Sequence, residues 1–257
     1  MLEPQRPQDS SPPAAPSERP QAPWTLADLI LFGLFFGLTV LFLPVGLLSI
    51  AHIFRPELQV ENLSAVDQLM IQGIMDLVLV GFIMFLVKVV HGRSFLATIH
   101  WYRAYPFRSS FLITLGAFLA ITVMIVSSVF PPTSTPPIEK LLSSARSLYV
   151  FAIFGVGLAP LFEEIIFRGF LFKVFVDISG RRSAIPLTAG LFALLHVPQL
   201  WGSWAGIGLI FIVGYVLALL RDRSGSLIPS LIVHMSYNGM LFGMYALSTL
   251  LQHGVGK

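Results

Sequence analysis

The chain has no cysteine among its 257 residues. That absence removes disulfides, a thiolate nucleophile and any Cys-ligated zinc or iron–sulfur cluster. Charge is scarce too. Asp, Glu, Lys and Arg make up 11% of the residues, about half the roughly 25% of a soluble domain. Hydrophobic residues reach 55% and the mean hydropathy is +0.81. These figures exclude a disordered chain and a water-soluble globule. What remains is an all-α, polytopic bundle of transmembrane helices.

The first 23 residues depart from that pattern. Pro4, Pro7, Pro12, Pro13, Pro16, Pro20 and Pro23 stand among Gln, Ser and Ala, a composition that neither sustains a helix nor buries a core, so a disordered tail is expected. With Glu3, Asp9 and Glu18 and no apolar stretch, it does not read as a signal peptide. Seven apolar spans follow, at about 26–52, 68–90, 110–130, 147–173, 184–200, 204–221 and 227–251. Three of them, in residues 24–130, form an N-terminal group. Residues 147–251 form the core that carries the chemistry. Pro44 and Pro160 lie inside spans, where a break would add an eighth, re-entrant or split segment. Gly33 and Gly37 make a GxxxG, a hint of close helix packing in the first span.

Seven spans divide the cations unevenly. Arg6, Arg19, Lys88, Arg93, Arg103, Arg108, Lys173, Arg181, Arg182, Arg221 and Arg223 fall on one side, and only Arg55, Lys140, Arg146 and Lys257 on the other. The bias predicts a cytoplasmic N-terminus. Topology thus accounts for the sequence pI of about 9.4, and no nucleic-acid partner is expected.

Ionisable groups in hydrocarbon are costly, so each calls for a partner or a task. The fourth span carries Glu163, Glu164 and Arg168. Arg168 lies four residues beyond Glu164 on the same face, a well-oriented pair. Glu163 points about 100° away, which leaves its carboxylate for chemistry. The fifth span holds His196, and the seventh holds His234 and Asn238, four residues apart on one face. At about 1.5 Å per residue, Glu163, His196 and His234 lie in one layer near the midplane, toward the cytoplasmic side. A single buried polar site is expected. The stripe Gln68, Gln72 and Asp76 marks an inward face of the second span and reads as structural. Ser236 has no motif around it that would make a nucleophile.

At these residues the sequence resembles the CAAX-protease and bacteriocin-processing (Abi) family of intramembrane peptidases. Glu-Glu-x-x-x-Arg at 163–168, Phe-x-x-x-His at 192–196 and His-x-x-x-Asn at 234–238 match its three motifs in order, and the run Arg221 to Leu227 also looks like the family. The resemblance covers roughly residues 147–243. It implies an endopeptidase acting in the membrane on membrane-associated, CAAX-like substrates, with the lipid bilayer as its other partner. By that resemblance, Glu163 with His196 activates a water, His234 and Asn238 bind the oxyanion, and Glu164 holds Arg168 and contacts the substrate backbone. No cofactor is expected in that scheme. The alternative keeps the protease but makes Glu163, His196 and His234 zinc ligands, without the usual His-Glu-x-x-His. A different class, a proton-coupled transporter or an immunity or scaffold protein, also suits such a cluster. A transporter needs relays to both faces, and the external side offers little beyond Glu57, Glu61 and Glu139.

Overall fold

Helix α1 (Leu26–Phe54) begins where Thr25 and Asp28 close a capping box: each side chain accepts from the other residue's backbone N–H. Helix α2 (Ala65–Phe85) begins the same way on Ser64 and Asp67 and ends in a π turn, Leu86–Val90. These caps satisfy N–H groups that a helix end would otherwise leave without partners. A single turn, α3 (Phe95–Thr98), leads to α4 (Ser109–Val129). Helix α5 runs without a break over residues 145–179, alternating α and π segments: Ala145–Ile153, the π turn Phe154–Leu158, Ala159–Glu164, the π turn Ile165–Leu171, and Phe172–Ser179. Helices α6 (Arg181–His196), α7 (Trp204–Ser224) and α8 (Ile228–Gly254) complete the bundle. The computed structural model describes residues 24–56, 63–133 and 145–254. The expected disordered tail lies outside them, as do Glu57, Glu61, Glu139, Lys140 and Lys257.

The described residues are helical with no strand, and the protein is an integral, multi-pass membrane protein. Among the described residues five helices are long and apolar enough to cross a bilayer: α1, α2, α4, α5 and α7. Two further expected spans, α6 and α8, have a weaker apolar signal. Helix α6 has 16 residues, about 24 Å at 1.5 Å each, against a hydrocarbon core of about 30 Å. Helix α8 is long, but His234, Ser236 and Asn238 dilute its apolar face. Neither proline produces a re-entrant segment. Helix α1 continues through Pro44. Pro160 follows directly on a π turn, whose wider spacing accommodates the missing N–H and the ring.

Polar contacts define the two ends of the bundle. At one end the backbone N–H of Trp24 donates to Asp177 at 2.9 Å, His91 pairs with Asp28 at 2.8 Å, and Arg181 faces Asp222 at 3.8 Å. The α3–α4 connection is held to the α7–α8 turn there: Leu227 N–H donates to His100 O at 2.9 Å and Ser226 Oγ to Tyr102 O at 2.6 Å. His100 takes a positive φ of 57°. Burial, and next the charge of Arg221, push its imidazole down to about 4. The turns at this end use Gly180 (φ 82°) and Gly225 (φ 66°), values that suit a residue without Cβ. At the other end Arg55 pairs with Asp67 at 2.9 Å and Thr133 N–H donates to Gly202 O at 2.8 Å.

Helix α5 is the axis. Its segment Ile165–Leu171 is buried at every residue, whereas only 11% of the apolar window of α1 is covered by protein. Helix α4 lies hard against α8: a Cβ on Gly116 would stand 2.5 Å from Val233 O and 2.9 Å from Tyr237 N. The GxxxG of α1 makes no such contact, since nothing approaches Gly33 or Gly37 within 4 Å. The hint of close packing at that motif has no counterpart among the described residues. Gly116→Ala should therefore cost about 1–3 kcal/mol of stability by overpacking, and Gly37→Ala should not destabilise. Thermal unfolding in detergent distinguishes them.

Candidate active site

Glu164 lies at the back of the site, with no exposed surface. Its Oε1 accepts from Arg168 Nη1 at 3.0 Å and lies 3.0 Å from His234 Nδ1. Arg168, also fully buried, donates through Nη2 to Gly214 O at 2.9 Å, and Arg221 Nε donates to Arg168 O at 3.1 Å. A carboxylate paired with a guanidinium only accepts, so His234 Nδ1 is the donor. Its other nitrogen, Nε2, lies 3.6 Å from Glu163 Oε2. The side chain of Glu163 keeps 25% exposure, against 0% for Glu164. Adjacent glutamates thus have different surroundings: one is sealed behind His234, the other open.

Phe192 is the hub of this layer. The Arg168 guanidinium carbon lies 4.5 Å from its ring centroid, the His196 ring 4.5 Å and the His234 ring 5.7 Å away. His196 Nδ1 lies 2.7 Å from Phe192 O. A carbonyl only accepts, so Nδ1 carries the proton and Nε2 is left as an acceptor. Asn238 Nδ2 donates to Gly155 O at 2.8 Å, a carbonyl in the first π turn of α5. That bond uses one of its two N–H donors and leaves one.

A cavity of about 370 Å³ joins these groups. Glu163, His196, His234 and Asn238 all line it, while Glu164 and Arg168 do not. The expected contact between Glu164 and a substrate backbone is therefore not available: His234 and Arg168 occupy its reachable side. Helices α2 and α4 contribute Gln72 and Ser127 to the wall, so the cavity extends beyond residues 147–251. Among the described residues no three His, Asp or Glu side chains are grouped to hold a metal ion. Glu163 and His234 approach one another at 3.6 Å, and His196 is not grouped with them as a third ligand.

Three groups bear on the site beyond the roles that the sequence suggested for them. Phe192 counted only as a motif position. Gln72 lines the cavity and donates to Asp76 Oδ1 at 2.9 Å. Asp76 is buried near enough to Glu163 for the charges to interact, and its Oδ2 has no hydrogen-bond partner among the described residues. The i, i+4 stripe on α2 was the available signal, although Gln68 at its end is exposed.

Residues 145–240 match the family described as type II CAAX prenyl endopeptidase Rce1-like. Over 142 residues the chain is 30% identical to the UPF0177 protein YxdF of Lactococcus lactis subsp. lactis (strain IL1403), spanning 55% of this chain and 71% of that protein. Over 114 residues it is 32% identical to the membrane-embedded CAAX protease MroQ of Staphylococcus aureus (strain USA300), spanning 42% of this chain and 44% of the protease. The chain belongs to the Rce1-like CAAX-protease family. No solved structure matches it. All three motifs of this CAAX-protease homologue fall inside the matched segment, and all three reach the same layer of the bundle. Membership makes peptide hydrolysis in the membrane the activity that the geometry has to explain.

The sealed pair yields a prediction. Arg168→Leu strands the Glu164 carboxylate in a dry interior and should cost about 3–5 kcal/mol. Combining it with Glu164→Gln should cost less than the two single changes added, because no charge is then left alone. Denaturant unfolding of the detergent-solubilised protein measures the three variants.

Proposed function

We propose that this CAAX-protease-family protein is an intramembrane endopeptidase in which Glu163 carries the proton and no metal takes part. One observation carries the reading: a single cavity gathers Glu163, His196, His234 and Asn238 while Glu164 and Arg168 are sealed behind it. A water held between Glu163 and the acceptor Nε2 of His196 gives a proton to Glu163 as its oxygen attacks the peptide carbonyl carbon. The resulting oxyanion takes hydrogen bonds from the remaining N–H of Asn238 and from His234 Nε2. For that donation His234 is an imidazolium, its Nδ1–H still held by Glu164. Protonated Glu163 then delivers its proton to the amide nitrogen, and the C–N bond breaks. Water supplies both the hydroxyl of the new carboxylic acid and the proton of the new amine.

The lining also bears on the substrate. Among the described residues it contains no Lys or Arg, and in this scheme the His234 imidazolium is taken up by Glu164 and the oxyanion, which leaves no second cation among them for the carboxylate of a chain end. This favours cleavage within a membrane-associated peptide over removal of its last residue. The cation bias supports a cytoplasmic N-terminus.

Glu163→Gln keeps the side-chain volume and removes the base. It should abolish hydrolysis of a quenched membrane peptide in detergent while the unfolding midpoint stays near that of the wild type. Asn238→Ala should lower turnover by about 10²–10³. Wild-type activity should survive exhaustive treatment with a strong chelator. Full activity in Glu163→Gln contradicts the assignment, and inactivation by the chelator with rescue by zinc contradicts the metal-free chemistry.

A further inference from the structure

Helix α2 meets the site with one polar side chain. Of the two residues that it contributes to the described lining, Leu69 and Gln72, only Gln72 is polar. The helix is seated closely there. A Cβ on Gly73 would stand 2.9 Å from Phe154 Cε2, in the π turn whose Gly155 carbonyl takes the Asn238 amide. One turn further along α2, Asp76 is near enough to Glu163 for the charges to interact. Gln72 therefore borders the turn that holds Asn238, and its own partner lies near Glu163.

The Gln72 amide is anchored on one side only. Its Nε2 donates to Asp76 Oδ1 at 2.9 Å. A side-chain amide has two N–H donors and a carbonyl, so one N–H and Oε1 stay without a partner among the described residues. Asp76 does not line the cavity; it is 5% exposed, and its Oδ2 makes no hydrogen bond among the described residues. A carboxyl group in an apolar span is costly. A Gln–Asp pair closed on itself would serve the bundle no better than two apolar side chains of the same shape. The cost has a use if Asp76 fixes the direction in which the Gln72 amide faces.

A peptide in this cavity creates a matching demand. Inside a membrane every backbone N–H and C=O needs a partner, and Glu163, His196, His234 and Asn238 are engaged with the bond that is cleaved. The peptide groups flanking that bond need others. A side-chain amide that donates with its N–H and accepts with its carbonyl pairs both backbone groups of one residue, whatever the side chain of that residue. We propose that Gln72 pairs the backbone of the bound peptide beside the scissile bond, and that Asp76 is the positioning residue that orients it. This role rests on the endopeptidase reading for the cleavage of the peptide. It brings into the site a residue of α2, outside the family segment 145–240.

Binding and cleavage are measured separately in the full chain. Fluorescent apolar peptides of several sequences, about 20 residues long, are titrated onto the detergent-solubilised Glu163→Gln variant, which should hold a peptide without hydrolysing it. Adding Gln72→Met, which keeps the length and removes the amide, should weaken binding of each about tenfold, with the unfolding midpoint near that of Glu163→Gln alone. Asp76→Leu should weaken it to a similar degree, and the two changes together no further. Asp76→Asn, which keeps an oxygen acceptor, should recover most of that loss. Peptides N-methylated at successive positions each lack one N–H. At one position near the cleaved bond, methylation should lower affinity with Gln72 present and not in Gln72→Met, a coupling that a merely structural glutamine does not produce. Unchanged binding in Gln72→Met, additive losses, an Asp76→Asn as weak as Asp76→Leu, or no methylated position coupled to Gln72 overturns the proposal. So does the failure of every peptide to bind, since the pairing is indifferent to sequence. Peptides bound in the expected pattern but never cleaved by the wild-type chain would refute the endopeptidase reading alone. Cleavage together with binding indifferent to Gln72 would refute the role of Gln72 alone.

Discussion

A carboxylate with no exposed surface, Glu164, fixes the rest of this structure. It pairs with Arg168 on its own helix and with His234 on α8, which ties the central helix to the last one at mid-bundle. Removing such a charge from water is expensive, and the pairing on Oε1 offsets that cost while Glu164 Oε2 and Arg168 Nε make no hydrogen bond among the described residues. Arg168 in turn reaches Gly214 on α7 and lies against Phe192 on α6. One buried ion pair therefore sets the relative position of four helices, and the neighbouring Glu163 is left facing the cavity.

The two π turns of α5 allow this. The second begins directly after Glu164 and carries Arg168. The first exposes the Gly155 carbonyl to Asn238 and prepares the helix for Pro160. An extra residue in a helix turn shifts the side chains that follow, and such turns occur often at functional sites. Close backbone approach at Gly116 then holds α8 in register against α4. Glu163, His196, His234 and Asn238 all stand on helices, and the connection 197–203 adds Gln199 and Ser203 to the cavity wall.

Much of this was legible in the sequence, because charges in hydrocarbon have few uses. Glu163, Glu164, Arg168, His196 and His234 stood out as polar residues within apolar stretches. The spacing of four from Glu164 to Arg168, and from His234 to Asn238, placed each pair on one face. The division between the two glutamates followed from the helix angle. Other features depended on neighbours that a single chain pattern does not reveal. Nothing in the spacing says that Asn238 meets Gly155 or that Phe192 bears on three site residues at once. The Gly33–Gly37 pattern suggested a packing face where the bundle leaves open space, while Gly116, without a motif, makes the tightest approach to α8. Helices α6 and α8 carry the weakest apolar signal among the expected spans. The first is short, and the second spends its apolar character on the site.

Nitrogen NMR of protein labelled at its histidines tests the central pairing most directly, with His234 assigned by comparison with a His234→Gln variant. If Glu164 is the ionised acceptor that anchors the site, His234 Nδ1 carries a proton, in either charge state of the ring. A His234 resonance with unprotonated Nδ1, the tautomer that would accept a proton from a neutral Glu164, would contradict the account.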